Sequence, residues 1–478
     1  MSDQHITALA TEDAPAGVIV REGDYGERVM TVEPGGAEFI PLHERHGRPL
    51  NLFWTWTSPN LEFATIFVGV IGVLFFGLSF WEAVLAIILG SAGGALAQGL
   101  LSARGPVLGV PQMVISRLGF GYRGNILPAG LMSITAGVGW FAVNSVSGTF
   151  ALNTLLGWPK VLCLLIIVVV QIAIAFFGHN LVHLFERFAF PVLAVIFLIT
   201  TIVILSKAHP GAPHKTIPGG FLIEVSAVFG YAAGWNPYAS DYTRYLPAKV
   251  SKAAVGWWTA AGLFLSCAVL EIAGAASATL ASPASATPTA AFTGHLSTGL
   301  ADATLVAIAI GAICANVLNI YSGSMAFVAM GFKLPLAFRR AFVALVFGVA
   351  GFIVAWSGLH DAGTKYTNFL LLIAYWIAPW LAVMFCDQWL RRGKDVESLL
   401  FDKSHHNWGG LVAMAVGVGV SVALFSNQTE YLAPIPKHFP SVGDITFEVG
   451  FVLTAAVYLI WHAVAGTRKS AAAAPAVR

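Results

Sequence analysis

Charge is what this sequence has least of. Only 10% of its 478 residues are Asp, Glu, Lys or Arg, against 57% hydrophobic. A water-soluble domain carries roughly 25% charged residues, so this chain has too few to cover a water-facing surface and belongs in lipid. The net charge of +2 gives no electrostatic footprint for a nucleic-acid partner. Cysteine is also scarce. Cys163, Cys267, Cys314 and Cys386 sit in apolar runs without CxxC spacing, which argues against a disulfide framework or thiolate metal site and for simple packing. Carboxylate-rich metal motifs are missing too. The His405-His406 and His179/His183 pairs have few acids nearby and read as loop residues, so no metal or organic cofactor is expected. Residues 1–46 lack the apolar core and cleavage site of a signal peptide and read as a cytoplasmic N-terminal segment.

Apolar runs are abundant instead. Spanning a bilayer takes about 20 apolar residues, and about twelve runs qualify: 52–79, 82–102, 126–156, 160–178, 187–206, 221–243, 254–280, 301–328, 339–357, 366–390, 408–426 and 446–465. The expected organisation is a core over 47–390 (helices 1–10), helices 11 and 12 over 391–465, and a disordered cytoplasmic tail over 466–478. With the N-terminus in the cytoplasm, 21 of the 26 Lys and Arg residues fall in cytoplasmic segments and 5 outside. The positive-inside rule demands such a bias, and a miscounted helix would have inverted it downstream. Expected placement is therefore multi-pass in the cell inner membrane, both termini cytoplasmic. The uncharged stretch between helices 7 and 8, SPASATPTAAFTGHLSTG, reads as an inert external linker ahead of a flexible lid.

Two of the runs are interrupted. Helix 1 reads WTWTSPNLEFATIFVGVIG, with Ser58-Pro59-Asn60 inside it, and helix 6 reads FGYAAGWNPYASDYTRYLP, with Gly234-Trp235-Asn236-Pro237 at its centre. Proline removes a backbone donor and clashes with the preceding turn. Freed backbone groups survive at membrane depth only where they line a cavity or are buried in protein. Corresponding interruptions five helices apart point to a midplane binding site in an inverted-repeat transporter, although ordinary packing kinks explain such prolines equally well.

Polar and aromatic side chains at depth sharpen that choice. Trp140 and Asn144 share one face of helix 3 at a spacing of four; Asn316, Asn319 and Ser322 share one face of helix 8. A single buried Asn is best read as helix–helix glue. Amides and aromatics together on helices 1, 3, 6 and 8 supply flat faces, donors and acceptors for a planar uncharged heterocycle. Of the ionisable groups at depth, Asp241 and Asp387 read as partners of Arg244 and Arg391. Glu62 and Glu271 lie further in and are the candidates for ion coupling.

The helix 6 run GYAAGWNPYASDYTRYLP resembles the signature of the nucleobase:cation symporter-1 family, in particular its purine-cytosine permease branch. WTSPN, PQMVISRLGFGYRGN with GWFAVNSVSG, and NVLNIYS agree with it. The resemblance, over roughly 45–390, implies an all-α five-plus-five inverted repeat of the leucine-transporter type, with helices 1 and 6 interrupted and helices 11 and 12 appended. It implies that Trp140 and Trp235 contact or stack on a base, with Tyr231 a rival for the helix 6 aromatic. Asn144 and Asn319 would bond the base's polar edges, and Ser58 would lie beside it; Asn316 is a further candidate. Sodium-coupled members carry paired hydroxyls on helix 8 where this chain has Ile313 and Cys314, so protons are the expected coupling ion and Na⁺ is disfavoured.

The function expected is import of nucleobases, cytosine and/or purines, by proton symport and alternating access. The partners expected are a small planar heterocycle and the bilayer, with no obligatory protein. An allantoin, hydantoin or vitamin transporter (thiamine, pyridoxine) is the alternative within the family. A non-transporting sensor or a lipid-acting membrane enzyme is the alternative outside it.

Overall fold

The computed structural model describes residues 17–21, 36–177, 179–282, 287–332 and 336–473, without the side chains of 175–188, 336–344 and 466–473. The side chains of the His179/His183 pair and the tail beyond 473 lie outside what is described. Among those described there are helices and isolated β-bridges but no strand.

Each apolar run is helical. Helix 1 comes in two pieces, Asn51–Thr57 and Phe63–Leu74. Helices 2 to 5 are Phe80–Ser102, Ile126–Leu156, Lys160–Phe177 and His179–Lys207; helix 6 is again in two pieces, Gly220–Ala233 and Ala239–Thr243. Helices 7 to 12 are Lys252–Ala278, Thr298–Ala329, Leu336–Gly358, Ala362–Leu390, Trp408–Phe425 and Thr446–Ala473. Among the described residues eight helices are long and apolar enough to cross a membrane, and the two pieces of helix 1, bent by 61°, form a ninth candidate span. Local chemistry sets the ends. Ser79 and Glu82 form a reciprocal capping box that opens helix 2, satisfying donors the helix cannot pair internally.

Helices 1, 2, 6 and 7 pack as one group and helices 3, 4, 8 and 9 as another. This grouping follows from the repeat, because helices 1 and 2 of the first half correspond to 6 and 7 of the second. Helix 5 joins helices 7 and 8, and helix 10 lies against helices 6, 11 and 12. Small residues permit the closest approach. A Cβ on Gly69 would stand 1.8 Å from the Glu271 carbonyl oxygen, and one on Gly274 would stand 1.8 Å from that of Ile66. Helices 1 and 7 therefore touch backbone to backbone, the usual device where lipid supplies no hydrophobic drive for helix association.

Both interruptions are present. Ser58–Asn60 is a 3-10 turn and Glu62 is extended (φ −155°, ψ 173°) before helix 1 resumes. Asn236–Tyr238 is the matching 3-10 turn in helix 6. Helix 3 holds a feature not expected from sequence: Thr135–Trp140 is a π-helical turn, a form concentrated at functional sites.

The stretch between helices 7 and 8 is not an inert linker. Pro288–Thr293 is a short helix whose N-cap Thr287 accepts from the Ala290 N–H. The hydroxyls of Thr287 and Thr289 each lie 3.2 Å from that of Thr154 on helix 3, and the Phe292 ring meets Phe63 of helix 1 edge-on at 6.1 Å. At the opposite end, residues 36–46 form a docked cover. Arg45 donates to the carbonyls of Ile40 (2.9 Å) and Pro106 (2.6 Å), and Arg244 donates to that of Gly36 (3.0 Å). Arg244 also donates its Nε to the Asp241 carbonyl (3.3 Å) and lies within electrostatic reach of the Asp241 carboxylate, which accepts from the Gln112 N–H at 2.9 Å. The expected Asp387–Arg391 pair forms, at 2.8 Å.

Candidate substrate-binding site

The two interruptions meet. Asn60 donates to the Trp56 carbonyl (2.7 Å) within helix 1 and accepts from the Trp235 indole N–H (3.0 Å) across in helix 6. Proline on each side has removed the backbone donors that would have continued the helix, and a side-chain bond now ties the loosened segments. The Trp235 ring stands edge-on to Trp56 (5.9 Å) and Tyr238 (5.1 Å).

Trp140, at the end of the π-turn, faces the same junction. A Cβ on Gly234 would lie 2.8 Å from Trp140 Cζ2, so only glycine leaves room for the indole at the helix 6 break. Tyr231, Phe369 and Tyr366 stand edge-on around Trp140 at 5.4, 5.2 and 6.4 Å. The Tyr231 hydroxyl is tied to that of Thr65 on helix 1. All four rings are largely buried, and edge-to-face packing of this kind fixes ring planes.

One turn further along helix 3, an amide ladder begins. Asn144 donates to Asn316 Oδ1 at 3.0 Å, as does Asn319 at 3.2 Å. Asn316 in turn donates to the Phe141 carbonyl (2.9 Å) and to Gln171 Oε1 (2.8 Å). Tyr238 donates its hydroxyl to Asn319 Oδ1 at 2.7 Å, joining the ladder to the helix 6 break. Asn316 has thereby used its whole hydrogen-bonding capacity, which places it behind the site as a support. Asn144 and Asn319 keep capacity to spare, since no internal donor reaches Asn144 Oδ1. Ser58 Oγ, in the helix 1 break, is buried without a partner.

A cavity of about 30 Å³ adjoins this cluster, lined among others by Phe63, Phe67, Ser147, Pro288 and Tyr366. It is too small for a heterocycle. Glu62 follows the helix 1 break, its Oε2 buried without a partner, and Gly311 of helix 8 packs directly on the Leu61 carbonyl. Glu271 lies one layer away on helix 7, accepting from the Ser91 hydroxyl at 2.9 Å.

The structure thus gathers Ser58, Trp140, Asn144, Tyr231, Trp235, Asn316 and Asn319 around one junction, with Glu62 at its edge and Glu271 outside it. Sequence reasoning missed Asn60, Gln171, Tyr238, Tyr366 and Phe369. Asn60 and Tyr238 are within the quoted motifs, and Gln171 is the lone amide in an apolar helix, so those three carried a signal. Tyr366 and Phe369 are aromatics among many and carried none.

Comparison with known proteins agrees with the fold and identifies the family. Residues 39–450 match the family of permeases for cytosine/purines, uracil, thiamine and allantoin. The purine-cytosine permease fcyB of Emericella nidulans is 30% identical over 459 residues, covering 90% of this chain and 88% of that one. The purine-cytosine permease FCY2 of Saccharomyces cerevisiae is 29% identical, covering 88% and 84%. Among solved structures, the inward-facing conformation of Mhp1 aligns with a TM-score of 0.69 at 19% identity, over 94% of this chain and 96% of that one. Mhp1, a nucleobase-cation-symport-1 family transporter, is also known closed with bromovinylhydantoin bound, at a TM-score of 0.66. This chain, an all-α membrane transporter and not an enzyme, belongs to the permease family for cytosine/purines, uracil, thiamine and allantoin.

Proposed function

We propose that the protein imports an uncharged nucleobase, cytosine and/or a purine, by proton symport. The observation that carries this reading is the junction itself. A largely buried indole, Trp140, lies one turn from Asn144 on the same face of helix 3, and Asn144 and Asn319 retain hydrogen-bonding capacity. A planar base needs a face to stack on and complementary donors and acceptors along one edge. A neutral ligand needs no ionised carboxylate, and none sits among these residues.

In this reading the base stacks on Trp140, with Tyr231 and Trp235 closing the aromatic side. Asn144 and Asn319 bond its edge, Ser58 Oγ offers a further polar contact, and Asn316 holds the two amides in register. Hinge motion at the Ser58–Asn60 and Asn236–Tyr238 turns exposes the site alternately to each side of the membrane. The cover of residues 36–46 faces the cytoplasm, as the distribution of Lys and Arg favours. Ile313 and Cys314 on helix 8 offer no hard oxygen ligand for Na⁺, which favours the proton.

The test is uptake of radiolabelled cytosine, adenine, hypoxanthine, uracil and allantoin by permease-deleted cells in sodium-free buffer, with and without a protonophore. Saturable, protonophore-sensitive uptake of cytosine or a purine, lost in Asn319→Ala, is expected. Uptake of allantoin alone would replace the substrate, and uptake that needs sodium would replace the ion.

A further inference from the structure

Away from the junction, a second carboxyl approaches Glu271. Glu224, on the first piece of helix 6, is fully buried, and neither of its oxygens has a hydrogen-bond partner. It lies within electrostatic reach of Glu271. Its carboxyl rests on bare backbone, since a Cβ on Gly72 of helix 1 would come within 2.7 Å of Glu224 Oε1. Glu271 is fully buried as well; Ser91 of helix 2 donates to its Oε2 at 2.9 Å, and its Oε1 has no partner. Gly72 on helix 1 and Ser91 on helix 2 thus place both side chains in the seam where helices 1, 2, 6 and 7 pack.

The surroundings offer no compensating charge. Glu62 and Tyr231 come from helices 1 and 6, Cys267 from helix 7 and Tyr366 from helix 10, and all are neutral or acidic. From helix 2 comes only the Ser91 hydroxyl. At the start of helix 12 stand Asp444 and Glu448. Asp444 is held by the Tyr375 hydroxyl and the N–H groups of Asn427 and Thr446, and its carbonyl accepts from Ser226, two residues beyond Glu224. Among the described residues no Lys, Arg or His bears on Glu62, Glu224 or Glu271. Two buried carboxylates within electrostatic reach of each other, with three of their four oxygens unpartnered among the described residues, cannot both stay ionised in such a seam, so the pair retains at least one proton between them.

We propose that Glu224 and Glu271 together form the site that binds the coupling proton, apart from the substrate junction and inside the group of helices that carries both interruptions. The inference rests on the proton-symport reading above and names where the proton sits. A link to the substrate site exists. The Tyr366 hydroxyl lies within electrostatic reach of both Glu62 and Glu271 and donates to the Ala64 carbonyl at 3.1 Å, and its ring stands against Trp140. Taking up the proton removes a negative charge from the seam and lets the four helices move as one packed body. Giving it up on the other side restores the charge and resets the cycle.

The experiment uses the full chain in proteoliposomes with a trapped pH dye, reading proton uptake on substrate addition alongside substrate counterflow. In Glu224→Gln and Glu271→Gln, counterflow should persist. Substrate-driven proton uptake should vanish, and with it the ~5–150-fold response to a pH gradient typical of coupled sites. Either variant taking up protons with the wild-type stoichiometry overturns the proposal and leaves proton symport standing. Wild-type protein that moves substrate without protons overturns both. Should the Gln variants fail to reach the membrane, infrared spectra of the wild type and of Ser91→Ala decide. A protonated-carboxyl band present at neutral pH, sensitive to deuterium and shifted by Ser91→Ala, supports the pair, and its absence or indifference to Ser91→Ala overturns it.

Discussion

The amides between helices 3, 4 and 8 have one another, whereas the carboxyls between helices 1, 6 and 7 have almost nothing. Asn144, Asn316, Asn319 and Gln171 close a ladder with bonds of 2.8–3.2 Å. Glu224 has no partner for either oxygen, and Glu62 and Glu271 each leave one oxygen bare. Both clusters are buried in an apolar bundle, where an unpaired polar group costs about 1–3 kcal/mol and a charge considerably more. Neutral amides that satisfy each other give a rigid wall with a fixed pattern of donors and acceptors. Carboxyls left without partners give a region whose charge, and therefore whose packing, changes with a proton. The wall belongs to helices 3, 4 and 8, and the carboxyls belong to the two interrupted helices and to helix 7 packed against them.

That contrast is open to attack from several sides. The largest expected effect comes from Asn319→Ala, which strands the Tyr238 hydroxyl and removes a ligand contact. A loss of about 2–3 kcal/mol, or ~30–150-fold in uptake efficiency, is expected in transport assays. Asn316→Ala should separate wall from ligand. It leaves Asn144, Asn319 and Gln171 each short of a partner, so thermal stability in detergent should fall by about 1–3 kcal/mol, more than any other single amide change. Gly234→Ala drives a methyl into the Trp140 indole and should raise KM with little loss of folded protein, read as KM against maximal rate. Trp140→Phe keeps a face but loses area, for about 0.5–1.5 kcal/mol or ~2–10-fold in KM. Smallest in its effect on transport is Asp387→Asn, outside the site: Asp387 is buried and accepts from Arg391 Nε and from the Tyr458 hydroxyl, both at 2.8 Å. Stability should fall by about 1–3 kcal/mol as the Arg391 charge loses its partner, with KM unchanged.

Much of this contrast was legible before any coordinates. Apolar runs located the helices to within a few residues, with helix 3 at 126–156 in both readings, because a bilayer imposes length and apolarity directly. The prolines in SPN and WNP marked the interruptions of helices 1 and 6, since a missing donor is a local property of the chain. Asn144, Asn316 and Asn319 declared themselves by being amides in lipid-deep helices. What stayed hidden depended on partners distant in sequence. Asn316 reads like Asn319 along the chain, and only Gln171 and Phe141 reveal that it is fully occupied. Glu224, near the start of helix 6, is not among the acids singled out along the chain; its burial against Gly72 of helix 1 appears only in the fold. The stretch around Pro288 seemed inert because threonine-to-threonine contacts with helix 3 leave no pattern.

The π-turn at Thr135–Trp140 carries a consequence of phase. Such a turn holds one residue more than an α-helical turn of the same rise, and each residue of an α-helix advances about 100° around the axis. Everything beyond it in helix 3, Asn144 included, is therefore rotated relative to everything before it. Gly137 and Gly139 lie in the turn with the Phe347 and Phe369 rings against them, which holds the widened turn in place. Deleting a single residue there would let the helix relax to regular winding and swing either Trp140 and Asn144 or the residues before them out of alignment. The chain would keep its length across the membrane, its composition and every side chain that touches the substrate, and would still lose the site.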